Sequence, residues 1–407
     1  MIRILHTSDW HIGWRLKERD RSGEFREFFS WLSGVIREEK IDVLLVAGDV
    51  FDNTTPSVQA QEIYYSFLAG LAESSCRHTV IISGNHDSPA FLDAPSSLLN
   101  LSDIHVIGTA RDDPAEEVIT LEGPDGRTEL IVCAVPYLRD RDVRTLTASD
   151  NPGDSERELL AGIRGHYSAV FERARELQGD SDVAVVAMGH MFIKGGRTVY
   201  DDGVRALYVG TALQVGCDVF PEWVTYTALG HLHSPQRAGR EDVRYSGSPV
   251  AMGFGEAGQQ KGVYILEVEG RSLVGVREVR VPVFQRLERA CGTMQDIWDK
   301  INALGREEVS VWVDVAHTGR DSAVGLQERV NDLVRSYPLL EVLSVRDESK
   351  AEAVMSSSGI GERELGEIDP LVIFRELLDS RKVDEEKRKI FMPMYQEILH
   401  GIEVGQS

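Results

Sequence analysis

The segment ILHTSDWH, residues 4–11, decides the fold. Ile4 and Leu5 open a run that reads as a buried strand, and the run ends in polar groups able to carry chemistry, Asp9 and His11. Four further segments repeat this design: VLLVAGDV at 43–50, VIISGNHD at 80–87, VAVVAMGH at 183–190 and YTALGHLH at 226–233. They place Asp49, Asn85 with His86, His190, and His231 with His233 at strand ends. Loops at the carboxyl ends of the strands in such a sheet are where ligands gather.

Carboxylates, one amide and several imidazoles at strand ends are the donor set of a two-metal hydrolytic centre, because oxygen and nitrogen suit divalent ions such as manganese. Asp9 and His11 are two residues apart, so both are expected on one side of the strand end with Trp10 turned away. Asp49, following Gly48, is the natural bridge, offering one oxygen to each ion of a pair roughly 3.5–4 Å apart. His231 and His233 repeat the two-residue spacing, and each imidazole that gives one nitrogen needs an acceptor behind the other. Asn85 adds a neutral carbonyl. A lone histidine, or the pattern Asp-x-His by itself, carries little weight; five ordered segments together point to a metal-dependent phosphoesterase. His6, His78, His105, His166, His317 and His400 lack such context and read as structural.

The chain has 407 residues, of which 42% are hydrophobic, enough for a large core and for about two to three domains. No apolar stretch is long enough to span a bilayer, and Ile2 begins the first strand without a charged leader, so a cytoplasmic protein is expected. Cys76, Cys133, Cys217 and Cys291 are far apart and form no CxxC pair, which argues against a disulfide framework and a thiolate zinc site. The net charge of -22 resists a nucleic-acid partner only weakly, since two bound divalent cations reverse the field locally.

Helical spacing of Phe25, Phe28, Phe29, Leu32, Val35 and Ile36 between the first two strands predicts a βαβ crossover. Further strands are expected at 117–121, 129–135, 183–188, 226–229, 244–246 and 262–268, with a charged loop at 139–153. The fold class is α/β: a two-sheet sandwich flanked by helices over residues 1–281, then a small α/β cap domain at 282–346 with strands at 283–286, 309–315 and 340–346 and helices at 294–304 and 324–335. A Ser-, Glu- and Gly-rich linker follows at 347–369. A C-terminal helical hairpin at 370–404 carries apolar faces, Leu371, Phe374 and Leu378 on one helix and Phe391, Met394, Tyr395, Ile398 and Ile402 on the next. Such faces call for a partner groove or coiled coil, or else for docking on the cap.

The stretches HTSDWHIG, VAGDVFDNTTPS, ISGNHDSP, VPYLRDRDVR, MGHMFIKGG, LGHLHSPQ and YSGSPVAMGFGE together resemble the calcineurin-like metallophosphoesterase superfamily and, within it, the bacterial SbcD family of nuclease subunits. The likeness spans residues 1–285 and continues more loosely to the C-terminal hairpin. It implies a manganese ion held by Asp9, His11, Asp49 and His233, a second held by Asp49, Asn85, His190 and His231, and His86 acting on the leaving oxygen. It also implies exonuclease and endonuclease action on DNA in repair, recombination and replication, an SbcC-like coiled-coil ATPase as partner, and a homodimer formed through the nuclease domain around residues 59–71 and the helix after Pro89.

Substrate choice is set beyond the ligands. Arg15 and Lys17 follow the first motif, Arg139 and Arg141 follow Pro136 and Tyr137, and Lys194 and Arg197 follow His190; all are candidates for backbone phosphates of DNA. Glu18, Asp20, Asp140 and Asp142 interleave with them, as on a solvated charged face. Asp87 is expected either to orient His86 or to cap the helix that Pro89 begins, with capping the stronger reading. Three functions stay open: an ATP-regulated DNA nuclease subunit, a stand-alone phosphodiesterase for small nucleotides, and a metal-bearing tether that holds DNA ends without cutting.

Overall fold

A computed structural model describes residues 1–71, 74–143, 152–197, 214–319, 321, 323–349 and, further on, 378, 387–388, 391–392 and 395. The chain divides into two units, Met1–Glu288 and Arg289–Ser407.

The first unit is built on two six-stranded sheets. In one, Ile2–Thr7, Val43–Ala47, His78–Ile82 and Ile104–Ile107 run parallel, and the hairpin Gly262–Glu269 and Ser272–Arg280 adds antiparallel strands beside Ile2–Thr7. In the other, Thr128–Ala134, Ala184–His190, Tyr226–Gly230 and Arg240–Tyr245 run parallel, with Val118–Glu122 and Gln236–Ala238 antiparallel at its edges. The central strands are apolar at nearly every position because each face is covered. Ile4, Val43, Leu45, Val80 and Ile82 meet Leu130, Val132, Val186, Met188 and Ala228 between the sheets. The opposite face of the first sheet, through Leu5, Leu44, Val46 and Ile81, packs on helices Ser22–Glu38 and Val58–Leu71. The opposite face of the second packs on the helix Pro152–Gln178 through Ile163, Tyr167, Val170 and Phe171. The result is a helix, sheet, sheet, helix sandwich.

In the second unit, Arg286–Gly292, Val311–His317 and Leu340–Asp347 form a three-stranded sheet covered by Met294–Leu304 and Leu326–Val334. Two expectations are corrected. Strand 283–286 starts instead at Arg286, because Val283 is 71% exposed and the inward positions are Leu287 and Ala290. The charged run 139–153 is not simply a loop: Asp140–Val143 forms one helical turn, and Pro152 opens the long helix, the position where a missing N–H costs nothing. The linker 347–369 and the hairpin 370–404 lie outside the described residues, except for 347–349 and six positions from Leu378 to Tyr395. Among the described residues no helix is long and apolar enough to cross a membrane.

His6 shows how tightly the sheets close. Its ring is buried between them, 3.0 Å from the Tyr226 hydroxyl through Nδ1 and 3.2 Å from the Leu229 carbonyl through Nε2. Burial pushes its pKa down to about 3, against a smaller upward pull from the Leu229 carbonyl. The unfolded chain binds a proton there below about 6.5 and the folded chain does not, so stability falls as the pH drops through that window, by up to about 1.4 kcal/mol per pH unit from this group. Denaturant unfolding between pH 7.5 and 5.5 checks this: the slope should flatten in His6→Gln, and an equal slope in variant and parent would sink the assignment.

Candidate metal centre

The five strands that carry the opening pattern end at one edge of the sandwich, and their loops are laced together by the backbone. Asp9 N–H donates to the Gly48 carbonyl at 3.0 Å, His11 N–H to the Asp49 carbonyl at 2.9 Å and Ile12 N–H to the Val50 carbonyl at 3.0 Å. The alternation expected for Asp9 and His11 is corrected here. The strand stops at Thr7, and both residues take left-handed backbone, with φ of 51° and 47°. Trp10 between them is driven into the helix-covered core, 4.9 Å from the Phe29 ring and 5.7 Å from Phe67. Asp49 has φ 49° and His231 φ 107°. Positive φ is uncommon outside glycine and costs on the order of 1–3 kcal/mol per residue, so four site residues store backbone strain that the surrounding bonds hold in place. Gly84 allows the closest approach: a Cβ there would collide with the Asp49 carboxylate.

Asp9, His11, Asp49, Asn85, His86, His190, His231 and His233 are all brought together. Asp49 Oδ2 lies 3.5 Å from His11 Nε2 and 3.3 Å from His190 Nε2, while its Oδ1 accepts the His86 backbone N–H at 2.8 Å. His11 Nε2 faces His233 Nε2 at 3.1 Å, and Asp9, His11 and His233 offer three ligand atoms within 4.8 Å of one another. On the other side Asn85 Oδ1 is 3.1 Å from His190 Nε2 and 3.0 Å from His231 Nδ1. His190 Nδ1–H donates to the Ala47 carbonyl at 2.9 Å, which leaves Nε2 as the nitrogen available in the site.

The electrostatics follow from burial and crowding. Burial lowers His11 well below the usual imidazole range, and burial with His190 nearby takes His231 to about 3, so both are neutral donors. His190 goes the other way, to about 9: burial favours its neutral form, but the Asp49 charge outweighs it. Burial raises Asp9. At Asp49 burial pulls upward too, but His190 and His11 overcome it and hold the carboxylate ionised. Nitrogen and oxygen lone pairs converge with no thiolate among them, the donor set that fits two hard or borderline divalent cations.

The comparisons agree with this geometry. Residues 2–235 match the model of the calcineurin-like phosphoesterase family, and 283–382 match a type 5 capsule protein repressor C-terminal domain. The chain is 31% identical to the SbcD subunit of the SbcCD nuclease of Escherichia coli (strain K12) over 98% of each protein. It is 33% identical to the SbcD subunit of Bacillus subtilis (strain 168), covering 81% of this chain and 80% of the relative. With the SbcD subunit of Rhodobacter capsulatus the identity is 36% over 66% of this chain and 67% of the relative. The chain belongs to the SbcD family of calcineurin-like phosphoesterases. A dinuclear divalent metal site, in a metal-dependent phosphodiesterase, comes with that membership.

Around the donor set, this SbcD-family chain uses residues whose roles the sequence pattern hides. Asp87 does not cap the helix Pro89–Asp93; Ser88 does, accepting from the Phe91 N–H. The buried Asp87 carboxylate instead accepts three backbone N–H groups, Val50 at 3.1 Å, Phe51 at 2.8 Å and Gly84 at 2.9 Å, tying the Asp49 loop to the Asn85 loop. Burial, with Asp49 nearby, raises its pKa to about 7. The Asp52 carbonyl holds His86 Nδ1 at 2.9 Å, and the Ser8 hydroxyl donates to Asp9. Tyr137 stands edge-on to His190 at 6.2 Å. Ser8 and Tyr137 give no sequence signal, because their role is set by neighbours remote in the chain.

The proposed phosphate contacts scatter more widely. Arg139 reaches the site loops through its side chain, with Nη2 3.4 Å from the Asp87 carbonyl. Arg15 bonds the Glu18 carbonyl across the small hairpin whose turn holds Lys17, and Arg141 pairs with Asp142 at 3.6 Å. Lys194 and Arg197 are exposed in the loop after His190. Replacing Asp87 with Asn turns one acceptor into a donor facing backbone N–H groups. The expected outcome is a loss of about 1–3 kcal/mol in guanidinium unfolding, accompanied by weaker manganese binding. Parent-like values of both in Asp87→Asn would remove Asp87 from the site's support.

Proposed function

We propose that this chain is the nuclease subunit of an SbcCD-like complex, hydrolysing DNA phosphodiester bonds as a double-strand exonuclease and a single-strand or hairpin endonuclease in DNA repair and recombination. The observation that carries this reading is the Asp49 carboxylate, whose Oδ2 lies between His11 and His190 and so between two donor groups. Asp9, His11, Asp49 and His233 hold one ion in this reading, and Asp49, Asn85, His190 and His231 hold the other. Manganese suits this mixture of carboxylate, amide and imidazole. Two such ions lend Lewis acidity to the phosphoryl oxygens and to an attacking water.

The chain's own residues orient the groups and move the proton. With Nδ1–H engaged by the Asp52 carbonyl, His86 keeps Nε2 for the reaction, and its backbone N–H on Asp49 Oδ1 registers the ring against the bridge. A proton on Nε2 passes to the departing sugar oxygen, the contribution expected of a positioned general acid. Arg15, Lys17, Arg139, Arg141, Lys194 and Arg197 supply contacts to DNA phosphates. The relatives' shared name supports an SbcC-like ATPase partner, with the C-terminal helical segment as its docking element, and a homodimer through the nuclease domain. A cytoplasmic setting fits four cysteines that are all free thiols.

A second reading, a phosphodiesterase for small nucleotides, is favoured by one observation, the net charge of -22. One assay separates the two: manganese-dependent turnover of linear double-stranded DNA and of a small bis-aryl phosphodiester, with and without an SbcC-like ATPase. The nuclease reading expects DNA degradation stimulated by the ATPase. His86→Ala should lower it about 10²–10⁴-fold without changing manganese binding. Turnover of the small ester with intact DNA would favour the second reading.

A further inference from the structure

Lys261 is an anomaly of the first unit. Lysines are almost never fully buried unless paired, yet Lys261 is only 5% exposed. Its ammonium donates to the carbonyl of His233 at 3.0 Å and to the Ser248 hydroxyl at 3.1 Å, and it pairs with Glu256 Oε2 at 2.9 Å. Glu256 and Ser248 are themselves fully buried. The His233 carbonyl is thus a junction, because the Ser248 backbone N–H also donates to it at 3.1 Å.

The supports of this junction are rigid. Lys261 directly precedes the strand Gly262–Glu269, the antiparallel neighbour of Ile2–Thr7, and its own carbonyl accepts from Val281 N–H at 2.9 Å. Glu256 accepts the Met252 N–H at 2.6 Å. The first motif grips the same loop from the other side: Trp14 Nε1–H donates to the Met252 carbonyl at 2.8 Å and Arg21 Nη1 to the Ala251 carbonyl at 2.6 Å. Removing an ion pair from water costs several kcal/mol per ion, so a buried lysine and glutamate are a poor choice for stability alone. What they gain is a fixed peptide plane immediately after His233, and with it the direction of a ring whose Nε2 sits 3.1 Å from His11.

We propose that Lys261, balanced by Glu256, is a positioning residue of the metal centre, fixing the His233 carbonyl so that the imidazole is held ready for the ion it shares with Asp9 and His11. The inference rests on His233 being a ligand, as proposed above. It assigns Lys261 no contact with substrate. Its loss therefore loosens one ion and leaves substrate affinity intact.

Manganese titration of the full chain, followed by the resonance of the free ion, tests this in Lys261→Met, Glu256→Gln and Lys261→Arg beside His233→Ala. Loss of an outer partner of a metal ligand typically weakens binding about 10–100-fold, and that is expected for one of the two ions in Lys261→Met, with a smaller loss in Glu256→Gln and partial recovery in Lys261→Arg. Turnover of a small phosphodiester should show an unchanged KM and a kcat restored by excess manganese, which a merely structural defect would not give. Parent-like affinity in both Lys261→Met and Glu256→Gln, while His233→Ala loses an ion, overturns the proposal. Parent-like affinity in His233→Ala would instead overturn the ligand reading beneath it. Should Lys261→Met fail to fold, Glu256→Gln decides by the same criterion.

Discussion

A carboxylate buried among lone pairs is the constraint on which the rest of this molecule turns. Asp49 is 2% exposed, and an anion so placed is costly unless positive charge or N–H groups surround it. His190 and the His86 backbone N–H supply part of that, and two divalent cations supply the remainder. Several buried neutral imidazoles aimed at the same space have no reason to converge without a cation to share. The two sheets bring their strand ends together around this point.

Strain and support are matched across the site. Asp9, His11, Asp49 and His231 all adopt positive φ, and each is held by bonds to another loop: Asp9 and His11 through N–H groups to Gly48 and Asp49, Asp49 through His86, His231 through its N–H to Asp9 Oδ1 at 2.8 Å. Asp87 and Lys261 serve the same end from opposite sides. One carboxylate takes three backbone N–H groups and sets the Asp49 loop, and one ammonium sets the carbonyl of His233. Each is buried and charged where an apolar residue would pack more cheaply, which identifies positioning as their purpose.

Much of this was legible in the chain. The five apolar runs each became a strand, since a buried parallel strand is a near-continuous apolar run and is recognised by that alone. The residues at their ends converge because parallel strands in one sheet share a carboxyl edge. The boundaries that failed did so for local reasons. Val283 is β-branched and apolar yet exposed, and Pro152 in a polar run looks like a turn until the helix after it is seen.

The sequence by itself determined the donor set, its order and its chemistry, because motif residues adjacent to glycine at strand ends can be read one segment at a time. Only the tertiary structure decided how those donors point and what holds them. Asp9 and His11 share a side through two left-handed residues, not through strand alternation, and that conformation depends on the neighbouring Asp49 loop. Asp87 serves Val50 and Phe51, 37 and 36 residues away in sequence, and Lys261 serves His233 across 28 residues. Hydrogen bonds between segments remote in the chain leave no periodicity and no spacing to read; they exist only once two sheets have closed on each other.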